Sequence, residues 1–218
     1  MSTTFDRALT GAECWLRAAD GTTCPLPTRR WLGDADPGDL LADHAMVSLC
    51  GGPTIDLGCG PGRLVAALVR RGVVALGVDI SPTAVAIARR RGAPALRRDV
   101  LGPLPGTGRW SFALLADGNI GIGADPARLL ARIRRLLVAD GIAVVEFDRP
   151  GTGMNLRRLR LETPNSTGAW FPWAHVGMEC AAPLARATGF RVRASIEVGG
   201  RHIAVLQRAP LDGLPRGL

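Results

Sequence analysis

Thr54-Ile55-Asp56-Leu57-Gly58-Cys59-Gly60-Pro61-Gly62-Arg63 carries a short apolar strand into an acidic residue, three alternating glycines and the start of a helix. Glycine at 58, 60 and 62 lets the backbone turn through conformations closed to residues with a Cβ, and lets a ligand lie against the main chain. The first amides of the helix then face that ligand, because the first turn of a helix has no carbonyl to accept them. The stretch reads as a cofactor loop of the nucleotide type.

Working outward, strand and helix patterns alternate. Strands are expected at Thr54 to Leu57, Val73 to Val78, Ala95 to Arg98, Ser111 to Ala116 and Ile142 to Phe147, with helices at Gly62 to Arg71, Pro82 to Arg91 and Pro126 to Leu137 between them. This alternation implies a parallel sheet with helices on both faces. Ser81-Pro82 and Asp125-Pro126 each place a capping side chain before a proline at the first helical position. A helix from Glu179 to Thr188 precedes two β-rich runs, Arg191 to Val198 and Arg201 to Gln207, joined by Gly199-Gly200, a tight-hairpin signal. Residues 1–50 read as an N-terminal cap around one helix near Asp39 to Leu49. Residues 51–208 read as the main domain, with an insertion at 149–177, and 209–218 as a flexible tail.

The pattern Asp-x-Gly-x-Gly-x-Gly at 56–62 resembles the first motif of class I S-adenosylmethionine-dependent methyltransferases. A dinucleotide fingerprint, Gly-x-Gly-x-x-Gly, would need glycine where Arg63 stands. The resemblance covers about residues 52 to 148, and the terminal hairpin agrees with it. It implies a three-layer, doubly wound α/β fold of Rossmann type, whose mostly parallel seven-stranded sheet ends in an antiparallel hairpin. It implies S-adenosyl-L-methionine as cofactor and S-adenosyl-L-homocysteine as product. By the same resemblance Gly58 and Gly60 cradle the methionine part, Asp79 takes the ribose hydroxyls, and Asp99 with Val100 reads the adenine. Asp56, Cys59, Gly62, Ile80 and Asp117 complete the expected cofactor set. Each aspartate has the alternative of capping a helix or solvating a turn.

The loop Asp117-Gly118-Asn119-Ile120-Gly121-Ile122-Gly123 follows the fourth strand, beside which such a fold places the reacting centre. Asp117 and Asn119 are therefore candidate catalytic residues, although the three glycines read equally as a mobile turn. The Asn/Asp-Pro-Pro-aromatic pattern of enzymes that methylate exocyclic base amines or glutamine amides is missing. In the insertion, Leu159-Arg160-Leu161-Glu162-Thr163 and Ala169-Trp170-Phe171-Pro172-Trp173-Ala174-His175 flank a turn at 164–168, a hairpin expected to arch over the pocket mouth. Trp170, Phe171, Trp173, Asn119, and Trp31 from the cap, form the expected acceptor wall, with His175 as a general base. The two tryptophans serve equally well as anchors of the insertion, and a single histidine is more often structural.

All 27 basic residues are arginine, and lysine and tyrosine are absent, which points to G/C-rich coding in a bacterium more than to a task for the net charge of +8. Arginines 89–91, 132, 134 and 135 are expected on solvated helix faces, without the aromatic interleaving of single-strand binders. The five cysteines show no ligand spacing, so free thiols and no metal are expected. With no apolar run near the ~20 residues of a membrane span, and no leader pattern at Met1 to Arg7, a cytoplasmic monomer or homodimer is expected. The expected activity is methylation of an oxygen or nitrogen on a small, apolar or aromatic metabolite. The rivals are a tRNA or rRNA methyltransferase, a nicotinamide-dependent oxidoreductase and a non-catalytic cofactor-binding protein.

Overall fold

The computed structural model describes residues 2–210, so all but the start of the expected flexible tail at 209–218 lies outside the described residues. In chain order the elements are α1 (Ser2–Leu9), β1 (Trp15–Ala18), β2 (Thr23–Pro25), α2 (Thr28–Leu32), α3 (Pro37–Ser48), β3 (Thr54–Leu57), α4 (Arg63–Arg70), β4 (Ala75–Asp79), α5 (Pro82–Arg90) and β5 (Ala95–Arg97). There follow β6 (Trp110–Leu115), a 3-10 turn at Asn119–Gly121, α6 (Pro126–Leu136), β7 (Leu137–Phe147), β8 (Met154–Thr163), β9 (Ser166–Thr167), β10 (Phe171–Val176), a 3-10 turn at Met178–Cys180, α7 (Ala181–Ala187), β11 (Phe190–Val198) and β12 (Arg201–Arg208).

One sheet has the order β11-β12-β7-β6-β3-β4-β5. The five strands from β7 to β5 run parallel, and β12 and β11 add antiparallel at the far edge. Strand side chains alternate between faces, so each strand feeds two cores. Ile55, Leu57, Ala113, Leu115 and Val145 pack with Leu129, Ile133 and Leu136 of α6 and Leu184 of α7. Leu114, Val144 and Ile203 pack on the other side with Leu64, Val65 and Leu68 of α4, Val85 of α5 and Met46 of α3. The three-layer, doubly wound expectation therefore holds.

Local chemistry sets the element ends. Ser81 Oγ accepts from the Ala84 amide at 2.9 Å and an Asp125 carboxylate oxygen accepts from the Arg128 amide at 2.9 Å, each ahead of a proline at the first helical position. Val198 pairs with Arg201, so Gly199 and Gly200 alone turn the terminal hairpin, both at positive φ as a primed turn demands. β7 begins at Leu137, earlier than the expected Ile142, because the ladder to β6 passes from Trp110↔Leu137 to Phe112↔Ile142 while residues 138–141 loop out.

The N-terminal segment is richer than one helix. β1 pairs antiparallel with β2 on one side and with β8 of the insertion on the other, and β8 pairs with β10, giving a second sheet of order β10-β8-β1-β2. Cap and insertion thus build one surface across the mouth of the main sheet. Glu162 fastens it, accepting from Arg17 Nε at 2.7 Å, Trp15 Nε1 at 2.9 Å and Arg160 Nε at 2.7 Å. The Arg17 hydrogen bond, opposed by desolvation and joined by the other two donors, pushes the Glu162 carboxyl down to about 2.

Four of the arginines expected in solvent reach back to the protein. Arg89 Nε donates to the carbonyl of Ala95 (3.0 Å), Arg91 Nη1 to those of Trp31 (2.8 Å) and Pro61 (3.1 Å), Arg132 Nη2 to Gly102 (2.7 Å), and Arg134 Nε to Gly189 (3.2 Å). A long guanidinium can leave an outward helix position and still find a carbonyl, which helical spacing does not reveal.

Candidate active site

The glycine loop leaves β3 at Leu57 and is braced from two sides. Asn119 Nδ2 donates to the carbonyls of Leu57 (3.1 Å) and Gly58 (2.8 Å), while Asp79 accepts the amide of Gly60 on Oδ2 (2.9 Å) and that of Ser81 on Oδ1 (2.8 Å). Gly58 has φ +78°, and a Cβ there would stand 2.5 Å from Asn119 Nδ2. At Gly62, φ is +77° and a Cβ would stand 2.6 Å from the Ala88 Cβ, so this glycine seats α4 against α5.

A cavity of about 600 Å³ opens over the loop. Gly58, Cys59, Gly60, Asp79, Ile80, Asp99 and Val100 line one part, and Asp117 and Asn119 border the next. Trp31 from the cap and Phe171, Trp173 and His175 of β10 close it, so these expected residues are brought together. Phe171 and Trp173 meet edge to face, with ring centroids 6.2 Å apart. Three expected residues are not on the wall. Asp56 is buried in β3 and Gly62 is consumed by helix packing. Trp170, 36% exposed, lies with the Arg160 guanidinium 4.6 Å from its ring centroid, outside the cavity lining.

Beneath this cavity is a network of charges that the sequence reading missed. Asp117 Oδ1 accepts from Arg30 Nη2 (2.6 Å), Arg63 Nη2 (3.2 Å) and Arg201 Nη2 (3.2 Å), and its Oδ2 accepts from Arg63 Nη1 (2.8 Å). Asp43 bridges Arg63 (2.7 Å) and Arg201 (2.9 Å), Asp39 holds Arg30 (2.8 Å), and Glu146 takes Arg201 Nε (2.8 Å). A second Glu146 oxygen accepts the Asp117 amide and Arg201 Nη2. These contacts hold Asp117 at φ +57°, outside the range most residues adopt. Burial opposes the charge on Asp117, but Arg63, Arg30 and Arg201 together bring its pKa below the usual carboxylate range. A carboxylate so neutralised is a poor proton acceptor, and on this geometry Asp117 anchors the ion-pair network at the cavity wall. Asn119, whose amide donors are spent on the loop, is likewise a brace. The one local signal is a charge, Glu146, within the apolar run of β7, whereas nothing local marks Asp43 or Arg201.

Residues 55–141 match the family model for a methyltransferase domain. The fold is that of the class I methyltransferases. It is 32% identical over 140 residues to the release factor glutamine methyltransferase of Rhodospirillum rubrum, covering 49% of this chain and 43% of that protein. It is 30% identical over 135 residues to the magnesium-protoporphyrin O-methyltransferase of Rhodobacter capsulatus, covering 59% of this chain and 60% of that protein. The chain thus spans less than two thirds of the curated relatives it matches. In fold it resembles an S-adenosylmethionine-dependent methyltransferase from Bacteroides fragilis solved with S-adenosyl-L-homocysteine, at a TM-score of 0.80 and 18% identity over 95% of both chains.

Within β3, Asp56 is buried. Burial, countered by Arg63 and aided by Asp117, Asp79 and Asp43, raises its carboxyl to about 7. The folded domain therefore keeps a proton that the unfolded chain, at an ordinary value of about 3.9, has released. Stability from this group falls as pH rises from about 4 to about 7. Asp56→Asn is expected to gain stability over the parent at pH 8 and to lose that advantage near pH 4, read from urea midpoints at the two values. Equal differences at both would contradict a buried, protonatable Asp56.

Proposed function

We propose that this chain transfers a methyl group from S-adenosyl-L-methionine to an oxygen or nitrogen of a small, apolar or aromatic acceptor. The observation that carries the reading is a cavity whose one wall is the glycine loop with Asp79 and Asp99, and whose other wall is Leu159, Leu161, Phe171 and Trp173. Its volume of about 600 Å³ lies within the ~300–1,000 Å³ usual for ligand pockets.

The residues present fit that cofactor. Each Asp79 oxygen spends one acceptor direction on a backbone amide and keeps another, which suits two ribose hydroxyls. Asp99 gives Oδ1 to the Leu101 amide at 2.9 Å and keeps Oδ2 for a donor such as the adenine amine. Gly60 faces the cavity, and a Cβ there would meet nothing within 4 Å, which leaves the main chain open to a ligand. When bound, the sulfonium supplies an electrophilic methyl and a neutral leaving group. The chain's contribution is to hold the acceptor in line and to exclude water, through the second sheet.

The apolar wall favours a small acceptor over nucleic acid, since Arg30, Arg63 and Arg201 are spent on carboxylates. The relative that methylates magnesium-protoporphyrin supports a flat acceptor. Against an amide acceptor, Asp117-Gly118-Asn119-Ile120 has no prolines. Among the described residues no helix is long and apolar enough to cross a membrane, and we place the reaction in the cytoplasm. The test is transfer of labelled methyl from the cofactor to a panel of aromatic hydroxyl and amine compounds beside bulk tRNA. Label on a small compound, insensitive to salt, is expected. Label on tRNA that falls steeply between low and physiological salt would overturn the substrate class.

A further inference from the structure

Asp148, just past the end of β7, is fixed more firmly than a loop residue needs. Its amide donates to the Val176 carbonyl (2.8 Å), its carbonyl accepts from Met178 (3.0 Å), and its Oδ2 accepts from the Val176 amide (2.9 Å). These bonds stitch it to the end of β10, where His175 Nδ1 lies 3.4 Å from the same Oδ2. Both side chains line the cavity, next to Phe171 and Trp173, and both keep over a third of their surface exposed. A carboxylate held on Nδ1 fixes that nitrogen as the proton-bearing one and leaves Nε2 with its lone pair. The charges around the pair are otherwise engaged. Arg30 and Arg63 pair with Asp117 and Arg201 with Glu146, Arg157 of the neighbouring β8 pairs with Asp20 at 2.9 Å, and Asp79, Arg98 and Asp99 lie at the ends of β4 and β5.

We propose that His175 is the catalytic base for a phenol-class acceptor, and that Asp148 is its positioning residue. The inference rests on the methyltransferase reading above. His175 Nε2 takes the hydroxyl proton while the acceptor oxygen bonds to the methyl carbon. The electron pair of the broken carbon–sulfur bond stays on sulfur, giving a neutral thioether, and the imidazolium returns its proton to solvent. The acceptor class follows from matching proton affinities. A phenol ionises at about 10, as tyrosine does, within reach of an imidazole, whereas an aliphatic alcohol lies far beyond it. A free amine attacks through its lone pair before any proton leaves, and has no need of the pair. The flat apolar walls of Phe171, Trp173, Leu159 and Leu161 suit an aromatic ring.

The test uses the full chain in two measurements. In the cofactor-free protein, the His175 ring nitrogens, assigned by the loss of their signals in His175→Gln, are read by nitrogen-15 NMR for which one carries the proton. The parent is expected to hold the proton on Nδ1, facing Asp148 Oδ2, and Asp148→Ala to release it toward the Nε2 form. The same tautomer balance in parent and Asp148→Ala would overturn the positioning role. In protein saturated with S-adenosyl-L-homocysteine, 7-hydroxycoumarin, whose phenol and phenolate forms excite at different wavelengths, is added below its own ionisation range. A raised phenolate fraction on binding, lost in His175→Gln and reduced several-fold in Asp148→Asn, is expected. Failure of the coumarin to bind would overturn the phenol class, and an unchanged phenolate fraction in His175→Gln would overturn the base. Calorimetry of S-adenosyl-L-homocysteine on the same sample separates these failures from failure of the methyltransferase reading, which alone would abolish that binding.

Discussion

Arg201→Ala is expected to lower the melting temperature by on the order of 10 °C. Arg201 is 7% exposed and contacts Glu146, Asp43 and Asp117 at once. Removing one partner of a buried ion pair leaves uncompensated charge, at a cost of about 3–5 kcal/mol, well above the median worth of surface pairs. Here the loss leaves Glu146 without its cation and takes one of the arginines from Asp43 and Asp117, and Glu146 also holds the Asp117 amide in its left-handed turn. Arg29→Ala is the control, since Arg29 and Asp34 are 83% and 70% exposed and their pair should leave the transition in place. Thermal unfolding of the two variants beside the parent decides. A drop no larger than that of Arg29→Ala would mean that the network contributes little.

Gly121→Val should separate the acceptor lid from the loop beneath it. A Cβ on Gly121 would stand 2.0 Å from the Ala174 carbonyl oxygen and 2.7 Å from Trp173 Nε1, so β10 rests directly on this glycine. Ile122 and Trp173 add an isolated antiparallel bridge at the same place. The obstacle is backbone, and cannot be relieved by a side-chain rotation. Overpacking of this kind costs roughly 1–3 kcal/mol, and the strand carrying Phe171, Trp173 and His175 must shift. Affinity for S-adenosyl-L-homocysteine should change less than twofold, while methyl transfer falls by on the order of 100-fold, the scale of a misplacement of about 1 Å. Transfer within twofold of the parent would show that β10 does not border the reacting centre.

The legible part of the fold is the part whose signals are local. Apolar strands and capped helices alternate from Thr54 to Phe147, and Gly199-Gly200 announces its own hairpin. The second sheet was invisible because its decisive pairing, Trp15↔Glu162, joins segments with no shared local pattern. At the site, strand alternation explains the outcome for the aromatic cluster. Phe171, Trp173 and His175 are two apart, share one face of β10 and reach the cavity, whereas Trp170 precedes the strand. The charge network was missed for a similar reason, since an arginine at 30 and another at 201 converge on Asp117 only after the whole sheet is assembled. Asp79 and the glycines were legible because a cofactor loop concentrates its requirements in one short stretch.

A sulfonium nucleoside is expected to lie on the glycine loop with its ribose on Asp79. Calorimetric titration of S-adenosyl-L-homocysteine into the parent and Asp79→Ala tests it. Saturable binding to the parent is expected, with a loss of about 1–3 kcal/mol, or roughly 5- to 150-fold, in the variant. No binding to the parent, or equal affinity in the two proteins, would contradict it.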